Sequence, residues 1–143
     1  MPVVLALFFI LLFASRSVSI PARFDTIVRS ESRLQSVPLR LVAAIISVES
    51  SWDENARGQA GEIGLMQLIP ATAEWMGFTG ATEQLFDPET NIHFGVRYLR
   101  YQLDRFDNRR DQAIAAYNAG TPKTRIDGKF TNQEYVDRVN ARL

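Results

Sequence analysis

The sequence predicts a compact all-α domain. Apolar residues recur at helical spacing along most of the chain, Pro and Gly punctuate it at the starts and stops of those segments, and no convincing run alternates in the way a strand would. With 143 residues, 46% of them hydrophobic, one domain with a single core is expected. There are no internal repeats and no low-complexity tracts.

The elements read in order as follows. Phe24, Ile27, Val28 and Leu34 fall roughly on one face of a first helix, and Pro38 opens a second that carries Glu49 near its end. Pro70 and Gly77 bracket a short third helix in PATAEWMG. Asp87 followed by Pro88 starts a longer helix with an apolar stripe of Ile92, Val96, Leu99, Leu103 and Phe106. A fifth helix runs from about Asp111 to Asn118 and stops at Gly120. Thr131 and Glu134 have the spacing of a capping box for a last helix bearing Tyr135, Val136 and Val139.

Ahead of these, Val3 to Ala14 form an unbroken apolar run, too short for an ordinary membrane span and suited to the core of a signal peptide. Ser17 and Ser19 fit the small-residue rule for cleavage after Ser19, so residues 1–19 are expected to direct export and residues 20–143 to form the domain. No Lys or Arg precedes the run, which keeps an uncleaved anchor as the alternative. Lys plus Arg and Asp plus Glu both number 16 without a basic stripe, so no nucleic-acid partner is expected. There is no Cys, and the single His93 sits within the long helix with no HExxH. Neither a zinc site nor a Cys-His pair is therefore expected, and no G-x-S-x-G elbow occurs.

Glu49 is the only charged residue from Leu41 to Trp52, in the run LVAAIISVESSW. A helix this apolar is buried, and it carries one carboxyl to the edge of a dry interior. Desolvation disfavours the charged form and prepares such a group to donate a proton near neutral pH. The plainer alternative is a Glu that reaches solvent from the last turn or pairs with an Arg. In GQAGEIGLMQLIP (Gly58 to Pro70), three glycines let the backbone approach something closely, and Gln67 offers an amide. The same loop also reads as a turn that plugs the core with Leu65, Met66 and Leu68. AYNAG (Ala116 to Gly120) places Tyr117 and Asn118 where the chain turns, and these also read as a buried Tyr and a helix stop.

Taken together the segments are more specific. ESSWDENA (Glu49 to Ala56), GLMQLIPATA (Gly64 to Ala73), LFDPETNIHFGVRYL (Leu85 to Leu99), AIAAYNAG (Ala113 to Gly120) and YVDRV (Tyr135 to Val139) stand in the order and spacing of the soluble lytic transglycosylase catalytic domain, which this chain resembles. The resemblance implies the lysozyme-like helical fold related to goose-type lysozyme, with an active-site cleft. It implies that Glu49 is the single catalytic acid, protonating the oxygen between N-acetylmuramic acid and N-acetylglucosamine in peptidoglycan. Glu49 would then accept a proton from the C6 hydroxyl as that group closes onto C1 in a 1,6-anhydro ring. Tyr117 would orient Glu49 or the acetamido group, Gln67 and Asn118 would bind saccharide, and Ser50, Met66 and Tyr98 would line or support the cleft.

One acid is chemically sufficient. Glycosidases ordinarily need two carboxylates, but here the substrate's acetamido oxygen and C6 hydroxyl can replace the second group and the water. Two positions depart from the family pattern: Gly58 stands where a Ser is usual and Glu62 where an Ala is usual. Glu62 is expected to be an exposed loop charge or a partner for Arg57, the alternative being a second carboxylate that admits some hydrolysis. Of Trp52, Trp75, Phe78, Phe86 and Tyr101, only Trp52 is expected near the cleft.

The expected activity is thus that of an exported, cofactor-free peptidoglycan lytic transglycosylase of the periplasm or cell envelope, acting as a monomer on glycan strands. Association with a cell-envelope machine is left open. The rivals are a hydrolase of the same fold and a non-catalytic binding or assembly module, against which the intact Glu49, Gln67, Tyr117 and Asn118 argue.

Overall fold

The structure is a computed structural model that describes residues 18–143. The apolar run expected to direct export lies outside the described residues. Among those described there are six α-helices and no strand: α1 (Ala22–Leu34), α2 (Leu39–Glu49), α3 (Pro70–Trp75), α4 (Pro88–Arg105), α5 (Arg110–Ala119) and α6 (Gln133–Asn140). A 3₁₀ turn at Thr82–Phe86, not foreseen from the sequence, precedes α4.

Proline sets three of the helix starts. Pro21 and Pro38 are the N-caps of α1 and α2, and Pro70 opens α3. Asp87 caps α4, its carboxylate accepting the Thr90 N–H at 2.9 Å, with Pro88 in the first turn. Gly120 ends α5 at φ 71°, a left-handed conformation that glycine adopts without strain.

Two local expectations fail. The capping box at Thr131 and Glu134 does not form: Asn132 is the N-cap and α6 starts at Gln133. Thr131 is occupied elsewhere, its N–H bonded to Lys123 O at 2.8 Å, while Gln133 Oε1 accepts from Phe130 N. Leu34 is 70% exposed, off the buried face of α1, whereas Glu31 and Ser32 are buried. The polar pair is tolerated because each is bonded. Ser32 donates to Val37 O at 2.6 Å, and Glu31 Oε2 meets Gln35 Nε2 at 2.6 Å and His93 Nδ1 at 3.1 Å. His93, half-buried on α4, thereby ties that helix to α1.

The helices pack in a closed cycle, α1 on α2, α2 on α6, α6 on α5, α5 on α4 and α4 on α1, around one core. α2 is buried along nearly its whole length, with Val42, Ala44, Ile45 and Ile46 fully covered, and Ile92, Val96, Leu99, Ile114, Val136 and Val139 supply the facing side chains. Each of these large aliphatics contributes roughly 1.5–3 kcal/mol by leaving water. A smaller core of Ile63, Leu68, Ala73, Phe78 and Leu85 lies under the glycine-rich loop. α3 and the 3₁₀ turn pack on α4, so the loop between α2 and α3 is carried above a rigid helix.

Candidate active site

That loop is pinned to α4 by one buried side chain. Asn91, fully covered, donates from Nδ2 to Ile63 O and Leu85 O, both at 2.8 Å, and accepts the Met66 N–H at 2.8 Å. A Cβ on Gly64 would come within 2.6 Å of Asn91 Nδ2, and one on Gly95 within 2.4 Å of Met66 Sδ. Both positions therefore need glycine, and both serve to seat GLMQ on α4. Gln67 takes a left-handed φ of 47°, an unusual conformation for a non-glycine residue and one that concentrates at functional positions. Its Nε2 donates to Gly64 O at 2.9 Å and Ala56 O at 3.2 Å, which leaves its side-chain oxygen to accept.

A cleft of about 270 Å³ opens at this loop. Glu49 reaches it from the end of α2, Glu62, Gln67 and Ile69 from the loop, Thr72 from α3, Tyr98 from α4, and Tyr117 and Asn118 from the end of α5. Tyr98 and Tyr117 are neighbours in its wall, ring centroids 5.2 Å apart. Asn118 is exposed, its Oδ1 held by Asn132 Nδ2 at 3.0 Å.

The Glu49 carboxyl is pushed up from its ordinary value of 4.5 to about 7, chiefly by burial. A hydrogen bond from Tyr135 and the charge of Arg138 pull it down, and the charge of Glu62 pushes it further up. Tyr135 Oη donates to Glu49 Oε1 at 2.5 Å. Burial holds the Tyr135 phenol well above the usual range, with Glu49 reinforcing the shift, so it stays protonated and remains a donor. Arg138 lies near without a direct ion pair to the acid, donating instead to Val48 O at 3.2 Å.

The other expected site residues make the following contacts. Tyr117, whose hydroxyl the resemblance assigned to the acid or the substrate, donates to Met66 O at 2.9 Å. The side chain hydrogen-bonded to Glu49 is that of Tyr135, 86 positions along the chain. Met66 is 0% exposed, so of the two roles expected for it, lining or supporting the cleft, burial leaves support. Ser50 is used by the turn after α2, donating to Ile46 O and accepting from Trp52 N, both at 3.2 Å, and it is not in the cleft wall. Trp52 stacks on Phe24 at 6.0 Å and packs against the main core, and it is not one of the residues that line the cleft.

Glu62 differs most from expectation. It is half-buried in the cleft wall, and Arg57 stands over the Phe86 ring at 4.3 Å instead of pairing with it. Glu62 Oε2 accepts the Ala60 N–H at 2.9 Å. A Cβ at position 58 would fall 2.1 Å from that same oxygen and 2.9 Å from Glu62 Cβ. The two departures from the family pattern are therefore one structural feature: the missing side chain at Gly58 makes room for the carboxylate of Glu62.

Residues 26–136 match the family described as Transglycosylase SLT domain. The chain belongs to that family. Within the transglycosylase SLT domain family it is 34% identical over 111 residues to the soluble lytic murein transglycosylase of Escherichia coli K12, covering 73% of this chain and 17% of that protein. It is 43% identical over 82 residues to the transglycosylase of Enterobacteria phage PRD1, covering 57% of this chain and 29% of that one. Among solved structures, an inactive mutant of the lytic transglycosylase Slt from Pseudomonas aeruginosa superposes with a TM-score of 0.74 at 26% identity, over 85% of this chain and 23% of that chain. The 70 kDa soluble lytic transglycosylase of Escherichia coli gives 0.66 at 28% identity, over 85% and 19%. The fold is thus the lysozyme-like one of these lytic transglycosylase domains, and the chain spans less than a third of the length of each of these relatives.

Proposed function

We propose that the chain is a peptidoglycan lytic transglycosylase that cleaves the β-1,4 bond between N-acetylmuramic acid and N-acetylglucosamine and leaves a 1,6-anhydro end. The observation that carries this is a buried carboxyl, Glu49, poised at about 7 and oriented by Tyr135 in a saccharide-sized cleft. At neutral pH about half of Glu49 is protonated, matched to a general acid. Tyr135 engages Oε1, which leaves Oε2 to hand its proton to the glycosidic oxygen. As the C1–O bond breaks, the neighbouring acetamido oxygen supports the positive charge at C1. The C6 oxygen then bonds to C1, and its proton passes to the Glu49 carboxylate, restoring the acid without consuming water. Gln67 and Asn118, which line the cleft, would hydrogen-bond the saccharide.

Glu62 favours a second product from the same cleft. A carboxylate seated by Gly58 and the Ala60 N–H can take a proton from water attacking C1, as in enzymes with two acids. Mass spectrometry of muropeptides released from purified sacculi tests both readings. Anhydro ends are expected from the parent protein and none from Glu49→Gln. Any reducing ends should fall in Glu62→Gln, and a Glu49→Gln protein that clears sacculi normally rejects the acid.

An envelope location accords with this substrate. Among the described residues no helix is long and apolar enough to cross a membrane. Export by the apolar run before Ser17 predicts a mature amino terminus near Ile20, which terminal sequencing of the protein recovered from the periplasm checks.

A further inference from the structure

The largest exposed aromatic residues stand together beside the cleft. Trp75 is 59% exposed and Tyr101 36%, and their rings meet edge to face with centroids 4.7 Å apart. Both rings also neighbour Tyr98, each with its centroid 6.5 Å away, and Tyr98 is a wall of the cleft. α3 supplies a second connection. Ile69 at its N-cap and Thr72 both line the cleft, and Trp75 follows Thr72 by three residues. Residues three apart share a helix face, so Trp75 continues that row about 4.5 Å further along the axis. Ile69, 42% exposed, is the other large apolar side chain at this edge.

An exposed apolar patch continuous with a polar cleft marks a binding surface more than an accident of folding. Its occupant follows from what the cleft takes. A pyranose ring carries hydroxyls at its rim and C–H bonds on its faces, so it presents an apolar face to an aromatic ring while its edge stays in water. The glycan chain is continuous, and a sugar held in the cleft has linked neighbours that must lie on the adjoining surface. Two rings make a patch far smaller than the roughly 800 Å² per partner that stable protein association buries, which disfavours a second protein here.

Resting on the cleft reading above, we infer that Trp75 and Tyr101 form an additional saccharide-stacking subsite, joined to the cleft through Tyr98, that grips a sugar of the same strand beyond the scissile bond. The subsite makes the protein prefer longer strands and does not take part in bond cleavage.

Calorimetric titration of the Glu49→Gln chain, which binds without turnover, with chitotriose and chitohexaose tests this. Adding Trp75→Ala should weaken chitohexaose binding about tenfold and leave chitotriose binding and the melting temperature unchanged. Trp75→Phe should restore most of the loss. Trp75 is one of two tryptophans, so in a Trp52→Phe protein its emission should shift to the blue with chitohexaose and stay put with chitotriose. Equal weakening for both lengths would overturn the inference by making Trp75 a support for Tyr98. Unchanged chitohexaose binding, or a dimer that Trp75→Ala abolishes, would overturn it as well. If the Glu49→Gln chain itself binds neither sugar, the cleft reading fails and takes the subsite with it.

Discussion

Replacing Glu49 by Gln should remove activity and, at neutral pH and above, stabilise the fold. The acid sits at about 7 in the folded protein against an ordinary 4.5, mainly because burial penalises its charge. The folded state therefore holds a proton that the unfolded state has lost. Stability of the parent protein should fall as pH rises from about 4.5 to about 7, since the unfolded state binds fewer protons in that window. Integrated over that window the loss is about 3 kcal/mol, a large part of the 5–15 kcal/mol typical of a domain. Gln is nearly isosteric, still accepts from Tyr135 and cannot ionise, so its protein escapes this loss. Urea unfolding of both proteins at about pH 4, 6 and 8 measures the difference, in which every other titrating group cancels to first order. The Gln variant should gain relative to the parent by about 3 kcal/mol between the acidic and alkaline ends. A difference that does not change with pH would show that Glu49 is not held protonated, and the proton-donor argument would lose its physical basis.

Tyr135→Phe removes the hydrogen bond that lowers the Glu49 pKa, so the alkaline limb of the kcat/KM profile should move up by about one pH unit while kcat falls. An unmoved limb would dismiss Tyr135 as the orienting group. Asn91→Ala leaves the buried Met66 N–H and Leu85 O unpaired, while Ile63 O keeps the Leu68 N–H at 3.0 Å, and should cost about 2 kcal/mol or more in urea unfolding, with a loss under 1 kcal/mol contradicting the role assigned to it. Gln67→Ala should weaken chitooligosaccharide binding and also cost about 1 kcal/mol, because its amide nitrogen braces the loop. Normal sugar binding by that variant would make the residue purely structural.

The helices and the buried carboxyl of Glu49 were legible because their signals are local. Glu49 stands alone in an apolar run, and proline or aspartate marks four of the helix starts. What could not be read depends on long-range pairing. Tyr135 looks like any core tyrosine until the packing of α2 on α6 brings its hydroxyl to a residue 86 positions away. Asn91 sits in an apolar stripe with no sequence sign of the three bonds it makes. Gly58 and Glu62 were visible as separate oddities, but only the geometry of the loop couples them. The aromatic residues misled in the same way. Trp52 follows the acid by three residues, yet the positive φ values at Ser51 and Trp52 turn the chain back onto Phe24. Trp75, 26 residues from the acid in sequence, reaches the cleft edge through Tyr98. Thr131 and Glu134 matched a capping pattern, but the backbone of Thr131 is claimed by Lys123.

The central claim is that Glu49 closes the C6 hydroxyl onto C1 in place of water. Digestion of purified sacculi in water enriched with heavy oxygen, followed by mass spectrometry of the new chain ends, tests it most directly. The new ends should be one water lighter than a reducing sugar and carry no heavy oxygen. Ends that are predominantly reducing and labelled at C1 would contradict it and make water, activated beside Glu62, the principal nucleophile.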